Sequence, residues 1–275
     1  SLISVITIIQ NSRMDSDSDS DSDSEQFLEE ESESSDEEDG EDLTFDEILQ
    51  SVRQNDPLTT ELSWNGDDEM IQSMTDEELE ELGRDISNNT HLEELALYDG
   101  ALNDERMSFL FQGLTRSSSI NDLRLDGNEF SVAGVRSMVP FLQNSKILRC
   151  LTLNANNIQS VGFNVLFRAL RDSPIEYLSC WGCGIESMEI DRSHIPRNLK
   201  SLDLDHNNIN ADGCRGLATL LRGGNSTLTD LSLNYNKIGD EGVAILVDAL
   251  KDNSSLVKFE LSGNDDISSE GKIML

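Results

Sequence analysis

Apolar residues recur along this chain three apart and then two apart, in the form L-x-x-L-x-L-x-x-N. The copies are "LEELALYDG" from Leu92, "INDLRLDGN" from Ile120, "LRCLTLNAN" from Leu148, "IEYLSCWGC" from Ile175, "LKSLDLDHN" from Leu199, "LTDLSLNYN" from Leu228 and "LVKFELSGN" from Leu256. Their starts lie 28, 28, 27, 24, 29 and 28 residues apart, and a degenerate earlier copy, "TTELSWNGD", begins at Thr59. Near-constant register over so many copies identifies a structural repeat. Within each copy the alternation predicts a short strand that turns its fourth and sixth residues to one side, with neighbouring strands stacked in parallel. The asparagine at the ninth position turns the chain, and its amide can bond the backbone of adjacent coils.

The segments between the strands read as helices. Gly134, Gly162, Gly213 and Gly242 open them; Met138, Leu166, Leu217 and Leu246 follow four residues on, and Leu142, Leu170, Leu221 and Leu250 four further. This spacing lays one apolar stripe on each helix, facing the strands. A strand–helix unit of this kind cannot bury its apolar face alone and needs neighbours on both sides. One unit departs from the pattern. "GIESMEIDRSHIPRNL" (184–199) is short, has no stripe and contains Pro196, which predicts an extended or 3₁₀ segment in place of a helix. A further short helix is expected around "FDEILQSVRQ".

With these residues in view, the chain resembles the ribonuclease-inhibitor-like class of leucine-rich repeats, most closely in "LSLNYNKIGDEGVAILVDALKDNSSL" (231–256). The resemblance covers Leu58 to Leu275. It implies an α/β solenoid, a horseshoe with parallel strands on the concave face and helices on the convex face. Such horseshoes serve mostly as protein-binding surfaces for many unrelated partners, so the resemblance does not select one. The division it suggests is 1–13 as an apolar upstream extension, 14–47 as a disordered acidic tail, 48–91 as a capping helix with the degenerate first repeat, and 92–275 as the repeats. The last repeat stops midway through a helix, which is expected to reflect truncation or a missing cap.

Charge narrows the partners. The formal net charge is −34, which repels nucleic acids and anionic membranes and favours a basic protein. From Asp15 to Glu47 there are 18 acidic residues and no Lys or Arg, a composition that cannot offset its ordering entropy by burial. Ser16, Ser18, Ser20, Ser22, Ser34 and Ser35 each have an acid three residues on, like substrates of acid-directed kinases. "SLISVITIIQ" is too short to span a bilayer and lacks the charged start of a signal peptide; Met14 is the expected natural start. Four scattered cysteines are no disulfide framework and point to a reducing, intracellular compartment, cytoplasmic or nuclear.

The pair Cys180 and Cys183 in "LSCWGCGI" has the spacing of a redox dithiol or half a zinc site. The repeat register gives another explanation. Cys180 takes an inward leucine position and Cys183 the asparagine position, while Cys214 takes an apolar helical position. His91, His194 and His206 are not spaced to complete a zinc site. No nucleophile–base arrangement, phosphate loop or dinucleotide fingerprint appears either, so neither an enzyme nor a cofactor is expected.

The third, fifth and seventh positions should line the concave face. They collect Glu94, Asp122, Asp126, Asp203, Asp205, Asp230 and Glu260 against Arg124 and Lys258, with Tyr98 at a seventh position. Tyr177 and Trp181, at the third and seventh positions of the middle repeat, form the expected aromatic anchor. The candidate protein-binding set is therefore Tyr177, Trp181, Asp203, Asp205, Asp126, Asp230 and Tyr98. Two other functions have partial sequence support. "VRQNDPLTTELSW" (52–64) and "SNNTHLEELAL" (87–97) resemble the repeat entry of tropomodulin-type actin pointed-end caps, but the tail has no counterpart of their amphipathic helices. Ran GTPase-activating proteins also join such repeats to an acidic stretch, which in that family follows the repeats rather than preceding them.

Overall fold

A computed structural model describes residues 45–65, 70–222 and 227–275; the apolar extension and nearly all of the acidic stretch lie outside the described residues. Helix α1 (Phe45–Arg53) leads into β1 (Glu61–Asn65), then α2 (Met70–Ser73) and α3 (Asp76–Asn88). Strand and helix then alternate: β2 (Glu94–Tyr98), α4 (Asp104–Leu114), β3 (Asp122–Arg124), α5 (Val132–Asn144), β4 (Cys150–Thr152), α6 (Gln159–Ala169) and β5 (Tyr177–Ser179). A 3₁₀ turn (Arg192–His194) precedes β6 (Ser201–Asp203), followed by α7 (Ala211–Leu221), β7 (Asp230–Ser232), α8 (Asp240–Leu250), β8 (Lys258–Glu260) and α9 (Ser269–Met274).

The eight strands form one parallel sheet in sequence order. Its register pairs Leu95, Leu123, Leu151, Leu178, Leu202, Leu231 and Phe259 across successive strands. These fourth-position residues are buried, as are the sixth-position residues from Leu97 to Leu233, whereas Leu261 in the last repeat is only half-buried. Strands pack about 4.8 Å apart and helices about 8–10 Å apart. Strand paired to strand and helix packed on helix thus form the two layers of the solenoid.

The glycines expected to open the helices sit instead in the first or second turn, because the helices start two or three residues earlier. The reason is contact. A Cβ on Gly134 would lie 2.5 Å from Phe130 Cβ, and one on Gly213 would lie 2.7 Å from Ile209 Cγ2. Only glycine lets each helix begin directly over the apolar residue that closes the preceding turn.

The middle repeat has no helix between β5 and β6. An extended stretch takes its place, with Met188 and Ile190 buried where a helical stripe would be. Its backbone is paired by side chains of α6: Ser160 Oγ accepts from the amides of Glu186 (3.0 Å) and Ser187 (3.1 Å), and Asn164 Oδ1 from Glu189 (2.9 Å). On the other side α7 presents Gly216, where a Cβ would meet Met188 O at 2.3 Å.

Candidate functional site

The ninth-position asparagines form a buried ladder. Asn207 Nδ2 donates to Cys180 O (2.8 Å), Asn236 to Leu204 O (2.9 Å) and Asn264 to Leu233 O (2.9 Å). Cys183 occupies the same rung and directs its Sγ to Leu153 O at 3.1 Å. Cys180 and Cys183 are buried free thiols. The hydrogen bond with Cys183, together with burial, pushes the Cys180 thiol well above its usual range; burial pushes Cys150 and Cys214 each up to about 12. A reactive cysteine needs the opposite shift. Among the described residues no group of His, Cys, Asp and Glu is arranged to hold a metal ion.

The strand side carries the candidate residues, and the structure divides them. Tyr177 (37% exposed) borders a shallow groove of about 240 Å³ lined by Ser201, Asp203, Asp205, Asp230, Lys258 and Glu260 among others. Burial raises the Tyr177 hydroxyl above its ordinary range. Trp181 (39% exposed) takes a different neighbour from the one the sequence pairs it with. Its ring packs on His206, with centroids 4.9 Å apart, and His206 stacks on Tyr235 at 4.3 Å and 22°. Tyr98 lies three strands away, half-buried, with its hydroxyl against Arg124.

His206 and Tyr235 lie outside the third, fifth and seventh positions that strand alternation turns to the surface, so alternation does not find them. Both are eighth-position residues, and that position is left-handed in every repeat from β2 on: Asp99, Gly127, Ala155, Gly182, His206, Tyr235 and Gly263 have φ between 49° and 70°. The glycines in that column were the available signal. Each residue from Asp99 to Tyr235 donates its amide to a carbonyl of the next repeat, as Ala155 does to Trp181 O (2.8 Å) and His206 to Asn234 O (2.9 Å). The column thus extends the sheet by one ladder step and turns its side chains outward along one rim.

The carboxylates are more than a solvated face. Asp126 Oδ1 accepts from the Asn154 amide (2.7 Å) and Oδ2 from the Thr152 hydroxyl (3.0 Å). Asn154 Oδ1 accepts from the Trp181 amide (2.8 Å), and the Ser179 hydroxyl lies between it (2.7 Å) and Asp203 Oδ2 (2.9 Å). Asp205 accepts from Ser232 Oγ (2.6 Å) and from both amides of Asn234. Burial pushes the Asp126 carboxyl above its usual range, with these hydrogen bonds opposing.

The cations of this face are already engaged. Arg124 bridges Asp122 (2.8 Å) and Glu94 (3.4 Å), and Lys258 bridges Glu260 (3.1 Å). Among the described residues Asp126, Asp203, Asp205 and Asp230 have no Lys or Arg within 4.0 Å. The face thus sets exposed aromatic rings beside carboxylates that have no ion-pair partner among the described residues.

Comparison with known proteins agrees with this architecture. The Leucine Rich repeat family model matches residues 196–218, 224–246 and 252–275. Pig (Sus scrofa) ribonuclease inhibitor is 29% identical over 195 residues, covering 58% of this chain and 42% of that protein. Mouse (Mus musculus) NACHT, LRR and PYD domains-containing protein 5 is 26% identical over 193 residues, covering 68% of this chain and 17% of the relative. The chain thus spans less than half the length of these curated relatives. A solved structure described as Leiomodin-1 Actin-Binding Site 2 overlaps 50% of this chain and 79% of its own at a TM-score of 0.42 and 23% identity, too loosely to bear on function. The repeat register, the parallel sheet and these matches support a leucine-rich repeat architecture similar to the ribonuclease-inhibitor-like class.

Proposed function

We propose that this chain is a non-enzymatic scaffold that binds a basic protein through its strand side, with Trp181 and Tyr177 as anchors. The observation that carries the reading is the pairing of large exposed rings with carboxylates that have no cation of their own. Aromatic side chains supply contact area at low entropy cost and recur at the energetic centres of interfaces. Unbalanced carboxylates around them speed the approach of a positively charged surface. A reducing, intracellular compartment suits the free thiols.

The test is comparative capture. The full chain and its Trp181→Ala variant are immobilised side by side, and proteins retained only by the former are titrated at low and high salt. The reading expects a basic partner whose association slows as salt rises. Actin pointed-end capping and GTPase activation are separate outcomes, seen as slowed filament depolymerisation or accelerated GTP hydrolysis, and either would replace the scaffold reading.

A further inference from the structure

The rim column of eighth-position residues is filled at its two ends and bare in the middle. At one end the Asp99 carboxylate lies over Gly127: a Cβ there would fall 1.9 Å from Asp99 Oδ1. At the other, the row Trp181–His206–Tyr235 ends over Gly263, where a Cβ would fall 2.4 Å from the Tyr235 ring. Between them stands Ala155, exposed and contributing one methyl group. A Cβ placed on Gly182 would meet, beyond its own chain neighbours, only the Ala155 backbone, at 3.8 Å. Ala155 and Gly182 are thus adjacent rungs that carry no side chain beyond one methyl group, with Trp181 the chain neighbour of the second.

Successive rungs are hydrogen-bonded neighbours, so each step is about 4.8 Å. A flat group above Ala155 would sit one step from the Trp181 repeat and one step from Gly127, over which the carboxylate lies. Stacking needs about 3.5–4 Å to a ring and a charge-assisted bond about 2.8 Å to an oxygen. A planar cation has the chemistry for both contacts. A guanidinium suits the step better than an ammonium, because it combines a flat face that packs on aromatic rings with several N–H donors for a carboxylate. Asp126, two rungs from Trp181, adds negative charge on the same side.

We infer that the bare step at Ala155, between the Asp99 carboxylate and the Trp181 ring, seats an arginine side chain of the partner protein. This rests on the scaffold reading and gives the basic partner a chemistry: an arginine presented from an exposed segment, its guanidinium continuing the row Trp181–His206–Tyr235.

Two probes test it, N-acetyl-argininamide and N-acetyl-lysinamide, added at millimolar concentrations to the full chain labelled for amide NMR. Saturable shifts are expected at Ala155, Gly127 and the Trp181 indole with the arginine probe, and clearly weaker ones with the lysine probe. Ala155→Tyr fills the step with a residue that Tyr235 shows the same backbone to tolerate, and should abolish the shifts. Asp99→Asn should weaken binding about threefold to fivefold. Absence of shifts in the unmodified chain, equal response to lysine, or unchanged binding by Ala155→Tyr would overturn the assignment. With the captured partner the two levels separate. Binding lost in Trp181→Ala but retained in Ala155→Tyr removes the arginine seat and leaves the scaffold reading standing; binding retained in both removes both.

Discussion

Asp205 holds Asn234 by two hydrogen bonds, Oδ1 accepting from the backbone amide at 2.7 Å and Oδ2 from the side-chain amide at 3.0 Å. With Ser232 also donating to it (2.6 Å), this carboxylate ties β6 to β7. Strand alternation places Asp203 and Asp205 on the concave face as candidate binding residues. The structure makes them acceptors on which neighbouring repeats depend. Asp205→Ala should destabilise the domain by about 1–3 kcal/mol, since it strands half-buried donors. Urea denaturation measures this, and an unchanged midpoint would show that water replaces the carboxylate without loss.

Cys183→Asn should leave stability within about 0.5 kcal/mol, because an amide at that rung can bond Leu153 O as its neighbours bond theirs. Cys180→Ser should cost about 1–3 kcal/mol by placing a hydroxyl among fully buried apolar groups. Thermal melts of the two variants decide the matter; equal losses at both positions would mean that the thiols act as a pair rather than as two repeat residues.

A third expectation concerns pH. Asp104 closes the start of α5, accepting from the Ser131 amide and hydroxyl and from the Gly134 amide, each at 2.7 Å. Burial would raise its pKa, but these three hydrogen bonds outweigh it and hold the carboxyl below its ordinary range. A depressed carboxylate stabilises the fold above its unfolded value, near 4, and loses that contribution as pH falls through the folded value. The stability gap between the native chain and Asp104→Asn should be about 1 kcal/mol at pH 7 and shrink below about pH 4. A gap that stays constant to pH 3 would contradict the assignment.

Much of the solenoid was legible because burial leaves a period. Leu123, Leu151, Leu202 and Leu231 can only repeat as they do if each lies inward on a strand. The missing helix was legible from Pro196 and the absent stripe, and the role of Cys183 from its register. The aromatic row was not, since stacking across a rim depends on backbone direction at the eighth position rather than on strand alternation. The carboxylate network was hidden for another reason. A charge at a surface position reads as solvated unless its neighbours are noticed, and here the small hydroxyls Thr152, Ser179 and Ser232 share a column with Asp203.

The central claim is that the strand side binds a protein through Trp181. Rings near an interface centre often carry 2 kcal/mol or more. The direct measurement is the dissociation constant of the captured partner for the native chain and for Trp181→Ala, with melting temperatures taken in parallel. The account predicts affinity at least about 30-fold weaker, mostly through faster dissociation, and an unchanged melting temperature. Equal affinity, or a variant that unfolds, would mean that Trp181 packs the rim against His206 and that the binding surface lies elsewhere.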